Sequence, residues 1–186
     1  MHRIIRYAPV GISAFAALVF IDSLRFKFTD HPNTQEIFGR LDGWAGSLGL
    51  PGLFGHTGLF SQYVIGTAEL FASTLLIVGL LPGLQRLNAV GALIGFAVMT
   101  GAVSFHLFTP LGIDPNNDGG GLFAAACTIW VSSIVLIVIR RNELIGLARG
   151  RDRGLAGVQL GDRRLPLERP PRVAQRGGLV GERRRR

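Results

Sequence analysis

Cysteine is scarce in the sequence, and so is net charge outside its C-terminal part. Cys127 is the only cysteine among 186 residues, which excludes an internal disulfide framework and any CxxC redox or zinc motif. Residues 1–148 carry eight basic and eight acidic side chains, whereas residues 149–186 carry 12 arginines and four acids and hold the whole net charge of +8. A basic nucleic-acid-binding domain is therefore excluded for residues 1–148, and no nucleic-acid partner is expected.

Apolar residues, in contrast, are abundant and occur in long runs. They make up 48% of the chain, and a helix needs roughly 20 mostly apolar residues to cross a bilayer core. Four stretches approach that length, at about residues 8–24, 59–81, 87–108 and 121–139. Pro82-Gly83 predicts a tight turn between the second and the third. The sequence thus predicts an all-α membrane protein, with an antiparallel four-helix transmembrane bundle over residues 1–148.

The distribution of basic residues predicts the orientation of this bundle. With both termini in the cytoplasm, the Arg140-Arg141 pair and the C-terminal arginines lie inside, and the outside receives only Arg25, Lys27 and Arg40. We therefore expect a multi-pass protein of the plasma (cytoplasmic) membrane with both termini cytoplasmic. The first run lacks a small-residue cleavage site after it, so an uncleaved helix is expected there.

The loop between the first two spans has a helical pattern of its own. An apolar stripe recurs at helical spacing and consists of Ile37, Phe38, Leu41, Trp44 and Leu48. Asn33, with Glu36 three residues later, resembles a helix start. This pattern predicts a short amphipathic helix in the membrane interface, followed by a glycine-rich segment that forms a re-entrant hairpin or a lid over the bundle.

Two further features concern partners. Residues 149–186 are rich in arginine and have no apolar period, which predicts a disordered cytoplasmic tail. Its arginines either contact anionic lipids or merely reinforce the topology. Small residues four apart in the third span, Gly91 with Gly95 and Ala97 with Gly101, allow close helix packing, either within the bundle or in a homo-oligomer.

Ionisable residues in or beside the spans are the candidate functional groups. Glu69 lies about ten residues into the second span, where an unpaired charge costs several kcal/mol. Asp22 and Lys27 lie at the outer end of the first span, and His106 lies at the outer end of the third. The alternative for Glu69 is a hydrogen-bonded carboxyl that only orients helices.

The same residues do not predict a metal site or an independent enzyme. No two of Asp22, Glu69 and His106 share a ligand spacing such as HxxxH or ExxH. Cys127 is expected to be an apolar filler, and the acidic loop at Asp114 and Asp118 is expected to be a turn before the fourth span. No nucleophile–base pair or cofactor cradle is evident in the sequence, so an enzyme acting on its own is not expected.

Four segments together resemble the DoxX-like membrane proteins. They are SLRFKFTDHPNTQEIF, GTAELFASTLLIVGLL, GAVSFHLFTPLGI and DGGGLF, in that order between about residues 20 and 144. The resemblance implies a four-helix transmembrane bundle, and it implies that the family's lysine, glutamate and histidine fall on Lys27, Glu69 and His106. Some relatives are membrane subunits of thiosulfate:quinone oxidoreductases, and others associate with detoxifying enzymes in oxidative-stress complexes.

Three functions are compatible with these features. The first is an accessory subunit of a redox or oxidative-stress assembly, with an oxidoreductase partner and a quinone as the possible cofactor that Glu69 or His106 would contact. The second is an oligomeric carrier of a small solute, lipid or proton. The third is a structural membrane scaffold.

Overall fold

The computed structural model describes the backbone of residues 2–150 and the side chains of residues 7–150. All regular secondary structure in this part of the chain is helical. The predicted tail lies outside the described residues, apart from residues 149 and 150. These two residues belong to a helix that is described over residues 141–150, so helical structure continues past the predicted boundary.

Six helices form the described part of the chain. In chain order they are α1 (His2–Phe28), α2 (Pro32–Ser47), α3 (Gln62–Val78), α4 (Gln85–Phe108), α5 (Gly121–Ile139) and α6 (residues 141–150).

Three of these helices, α1, α4 and α5, are long and apolar enough to cross a membrane. They confirm the long apolar helices expected at residues 8–24, 87–108 and 121–139. The stretch predicted at residues 59–81 contains a helix of only 17 residues, α3. Its ends are set by local chemistry: the Ser61 hydroxyl accepts the Val64 N–H at the start, and the chain leaves the helix at Gly79 before Pro82.

The helices pack in the order α1, α3, α4, α5, with α3 between α1 and α4 and with α4 between α3 and α5. Small residues allow α4 to lie close to its neighbours, to α3 at Gly91 and to α1 and α5 at Gly95. A Cβ atom at Gly91 would lie 2.8 Å from the Leu76 backbone nitrogen, and one at Gly95 would lie 3.3 Å from Phe20 and Ser133. The prediction that the glycines of this stripe serve packing within the bundle is therefore confirmed for Gly91 and Gly95.

Helix α2 and the glycine-rich segment cover one end of the bundle, here named the α2 end. Leu41 and Ala45 of α2 form a buried apolar cluster with Phe54 and Leu111. The Asp42 carboxylate accepts the backbone N–H groups of Phe54 and of the next residue, at 3.0 and 3.1 Å, which fixes the segment to α2. A short helix in this loop was predicted correctly, and Phe54 of the segment packs against Phe105 of α4, with ring centroids 5.1 Å apart.

The predicted start of α2 was wrong in its detail. His31, not Asn33, is the N-cap residue, and its Nδ1 atom accepts the Asn33 N–H at 3.2 Å. Pro32 occupies the first turn, where its missing N–H costs nothing. Since His31 already accepts an orphan N–H group, the capping box of Asn33 and Glu36 does not form.

The opposite end of the bundle, which contains the turn between α3 and α4, is named the turn end. It is packed around one buried polar side chain. Asn88 is completely buried and donates hydrogen bonds of 2.8 Å to the Ser13 hydroxyl and to the Leu76 carbonyl. Its Oδ1 atom accepts a bond of 3.1 Å from the Arg140 guanidinium. Asn88 thereby links α1, α3 and the end of α5 at this end of the bundle.

Candidate functional site

A cavity of about 620 Å³ lies in the half of the bundle nearer the α2 end. This volume falls within the range of small-molecule sites in proteins. Residues from α1 to α5 line it, and most of them are apolar. The ionisable residues in its wall are Asp22, Lys27, Glu69, His106 and Asp118. All four candidate residues from the sequence therefore line one cavity.

The strongest electrostatic feature of the cavity is a buried ion pair. The Lys27 ammonium lies 3.1 Å from Oε1 and 2.9 Å from Oε2 of Glu69. The two side chains are only 16% and 4% exposed, so both charges are largely shielded from bulk water. Opposite charges this close neutralise each other, which is the condition for keeping them inside an apolar bundle.

Ser23 completes this ion pair, although it is not among the candidate residues predicted from the sequence. The Lys27 ammonium donates to the Ser23 hydroxyl at 2.7 Å, and that hydroxyl donates to Oε2 of Glu69. Ser23 lies four residues before Lys27, so both side chains lie on one face of α1. This spacing was the available signal. Ser23, Lys27 and Glu69 are named the polar cluster below.

His106 lines the same cavity, separately from the polar cluster. Its Nδ1 atom lies 2.6 Å from the Gly112 carbonyl oxygen. A carbonyl oxygen can only accept, so Nδ1 carries a proton, and whenever the ring is neutral Nε2 is an acceptor. The ring also packs against Phe123, with their centroids 5.5 Å apart. The carbonyl and the aromatic ring together fix the orientation of the imidazole.

Asp22 lies at the edge of the cavity rather than in the polar cluster. Its carboxylate pairs with Arg25 at 2.9 Å, and the two side chains are 60% and 68% exposed. An exposed pair of this kind contributes little to stability. The structure thus brings Lys27 and Glu69 into direct contact and places His106 and Asp22 elsewhere on the cavity wall.

A hydrogen-bond network at the α2 end lies next to Lys27. The Asp30 carboxylate accepts bonds from the Tyr63 hydroxyl at 2.6 Å, from the Gln62 amide at 2.5 Å and from the Gln35 amide at 3.3 Å. Gln62 also donates to the Lys27 carbonyl at 2.8 Å. These bonds tie α2 to the adjoining ends of α1 and α3, so they close the bundle beside the polar cluster.

This network predicts an acid-sensitive contribution to stability. The hydrogen bond from Tyr63 above all, with the Gln62 amide and the nearby His56, lowers the pKa of Asp30 below its ordinary value of 3.8. A lowered folded-state pKa gives stability that is present above the unfolded-state value and is lost as the pH falls through the folded-state value. Asp30→Asn keeps a residue that tolerates the positive φ of 53° at this position.

We therefore expect Asp30→Asn to melt at a lower temperature than the wild type near neutral pH. The difference should be complete at about pH 5 and above, and it should shrink as the pH falls from the ordinary value of 3.8 through the lowered folded-state pKa of Asp30, because the wild-type carboxylate is protonated below that pKa. Thermal unfolding in detergent across this pH range measures it. A melting difference that does not change with pH would contradict the assignment.

The remaining predicted polar groups have local roles. Asp118 accepts the backbone N–H groups of Leu122 and Gly120 at 2.8 and 3.0 Å, and these bonds, led by that from Leu122, lower its pKa. It thereby supplies hydrogen-bond acceptors for the free backbone N–H groups at the start of α5, as expected for a turn that precedes this helix. Cys127 is a free, half-buried thiol. Among the described side chains, those of residues 7–150, no group of three or more His, Cys, Asp or Glu is arranged to hold a metal ion.

Comparison with known proteins does not extend this description. No family model matches the sequence, and searches of curated proteins and of solved structures found no match either. The resemblance to the DoxX-like proteins therefore stays a prediction from the four segments.

Proposed function

We propose that the chain crosses the plasma membrane four times, with both termini in the cytoplasm and the α2 end outside. The positive-inside distribution of arginines supports this orientation. The surface of α3 supports its place as the fourth span, since Leu70 and Phe71 are 45% and 60% exposed on a helix packed between α1 and α4. At 1.5 Å per residue α3 is about 26 Å long, so the residues flanking it complete the crossing.

We further propose that the chain is a DoxX-like accessory subunit of a redox or oxidative-stress assembly and that it binds a quinone in the cavity. The observation that carries this proposal is the buried, charged polar cluster in the wall of an otherwise apolar cavity. Binding sites for small molecules combine an apolar lining with a few placed polar groups. A quinone matches such a lining because its ring is apolar and its carbonyl oxygens accept hydrogen bonds.

The residues of the cavity would bind and orient the ring. The Lys27 ammonium, with three N–H donors, is suited to a carbonyl oxygen, Ser23 holds that ammonium in place, and Nε2 of a neutral His106 ring is an acceptor suited to the hydroxyl of the reduced form. The quinone supplies reversible two-electron chemistry. The electrons come from or go to a partner oxidoreductase, whereas this chain holds the ring and shields it from water.

The sequence offers a direct test, because Lys27 is the only lysine in the chain. Protein prepared with isotope-labelled lysine gives one side-chain ammonium resonance, which reports on the polar cluster without any substitution. A short-chain benzoquinone or naphthoquinone is expected to shift this resonance saturably. An alkylbenzene of the same shape, which lacks the carbonyl oxygens, is the control and should bind at least about tenfold more weakly, equivalent to about 1.4 kcal/mol.

Two results would contradict quinone binding. The first is a resonance that stays unchanged at saturating quinone, and the second is equal binding of the quinone and the alkylbenzene. The carrier function is less well supported, because the cavity does not continue through the bundle: its far end is closed by packed residues. Asn88 and its partners fill the turn end of the bundle. A structural scaffold is the remaining alternative, and the double substitution discussed below distinguishes it.

A further inference from the structure

The cavity is not confined to the interior of the bundle, because its lining continues to the edge of α1. Val19, Asp22 and Phe26 all line it and are three or four residues apart, so they follow one side of that helix. Asp22 is exposed, and the other two are half-buried. The cavity therefore reaches the lateral surface of the bundle along this side of α1.

Along the facing side of α5, the residues that line the cavity likewise change from exposed to buried. Leu122, Ala125 and Ile129 line the cavity with a similar spacing. Leu122 is 39% exposed, Ala125 is half-buried and Ile129 is 1% exposed, so the lining passes from surface to floor along the helix. Helices α1 and α5 are also less closely packed against each other than either is against its other neighbour. These two edges form the side opening.

The other boundaries of the cavity are better closed. At the α2 end, Ile37 and Leu41 of α2 and Phe54 of the glycine-rich segment line it from above. Two α4 residues, Ala97 and Gly101, also line the cavity, and Ala97 is exposed, but α4 packs closely against both of its neighbours, α3 and α5. The side opening is therefore the lateral boundary of the cavity at which the adjoining helices are least closely packed.

We infer that the cavity takes a long-tailed amphiphile from the bilayer, with its head group at the polar cluster and its hydrocarbon tail leaving between α1 and α5. The identity of the head as a quinone rests on the proposed function, whereas the route of the tail rests on the side opening. A tail in this position stays in lipid, so only the head needs to be desolvated by the protein.

Two neighbouring alanines of α5 provide a matched pair of variants. Ala125 lines the side opening, whereas Ala124 is exposed and is absent from the cavity wall. We expect Ala125→Trp to weaken binding of a long-tailed quinone in lipid nanodiscs by about tenfold or more, the equivalent of two excluded methylene groups. In Ala125→Trp, a short-tailed quinone should lose less affinity than the long-tailed one. Ala124→Trp should leave the affinities for both quinones unchanged. Equal effects of the two substitutions would overturn the route.

A second measurement keeps the test independent of folding in the tryptophan variants. A quinone with a photoreactive group in its tail is bound to the wild-type protein, and the cross-linked peptides are identified. Cross-links at Val19 and Leu122 support the side opening, whereas cross-links concentrated at Ala97 and Gly101 overturn it.

The proposed route of the tail and the proposed binding of a quinone are tested separately. If no quinone binds to the wild type, the proposed function fails. A long-chain fatty acid with the same photoreactive group then tests the route alone. Cross-linking of that probe at Val19 and Leu122, lost in Ala125→Trp but kept in Ala124→Trp, supports the side opening without a quinone. An identical cross-linking pattern in both variants overturns it.

Discussion

Glu69→Gln is expected to lower the free energy of unfolding by about 3–5 kcal/mol, the usual cost of leaving one member of a buried ion pair without its partner. The substitution preserves the shape of the side chain and removes its charge. The Lys27 ammonium, only 16% exposed, then keeps its Ser23 contact but has no carboxylate beside it. Lys27→Met should be costly for the converse reason, because the Glu69 carboxyl would lose its counter-ion inside an apolar wall.

The double variant Lys27→Met with Glu69→Gln is expected to be more stable than the sum of the two single effects predicts. Removing both charges leaves no uncompensated ion, so a coupling free energy of about 2 kcal/mol or more is expected. Chemical denaturation of the four proteins in one detergent measures it. Additive single effects would contradict the ion pair.

The same double variant separates a binding site from a structural scaffold. If the polar cluster binds the ligand head, the double variant recovers stability but not quinone affinity, because the donor on Lys27 is gone. If the pair only fixes the positions of the helices, quinone affinity is unchanged once stability is recovered. Stability and binding are therefore measured on the same samples.

The sequence predicted most of the helices because apolar runs are a property of the chain itself. The limits of α5 were predicted at residues 121–139 and are found there. Helix α3 is shorter than the predicted run because hydropathy does not detect caps: Leu59 and Phe60 are apolar but precede the Ser61 cap. The predicted N-cap of α2 was wrong for a related reason, since the Nδ1 atom of His31 accepts the Asn33 N–H although histidine is not among the usual N-cap residues.

The candidate site was predictable in its composition but not in its geometry. A charge inside an apolar run identified Glu69 without structural information. Its contact with Lys27 joins residues 42 positions apart, and no local pattern specifies such a pair. Ser23 and Asn88 were missed because small and neutral polar side chains are common in membrane helices, and their importance arises only from what they contact. Asp22 resembled the other candidates in sequence, yet its nearest partner is Arg25 on the same helix.

The second large effect is expected at the turn end, from Gly79→Ala. A Cβ atom at Gly79 would overlap the backbone nitrogen of Asn88 and would lie 2.5 Å from its Cα atom. The φ of Gly79 is −69°, a value that alanine adopts freely, so the cost is steric and not conformational. The clash is with backbone, and α4 must therefore move away from α3 to relieve it.

Asn88 opposes this movement of α4, because its side chain is hydrogen-bonded to Ser13, to the Leu76 carbonyl and to Arg140. We expect Gly79→Ala to cost about 3 kcal/mol or more, at or above the upper end of overpacking penalties. Gly11→Ala is the matched control, since it lies inside α1 with nothing within 4 Å of the added atom, and there alanine should stabilise by roughly 0.5–1 kcal/mol. Equal stability of the two variants would show that α3 and α4 do not meet at Gly79.

Because the cavity lies at the other end of the bundle, the folded fraction of Gly79→Ala should bind a quinone with wild-type affinity, which separates packing from binding in a single protein.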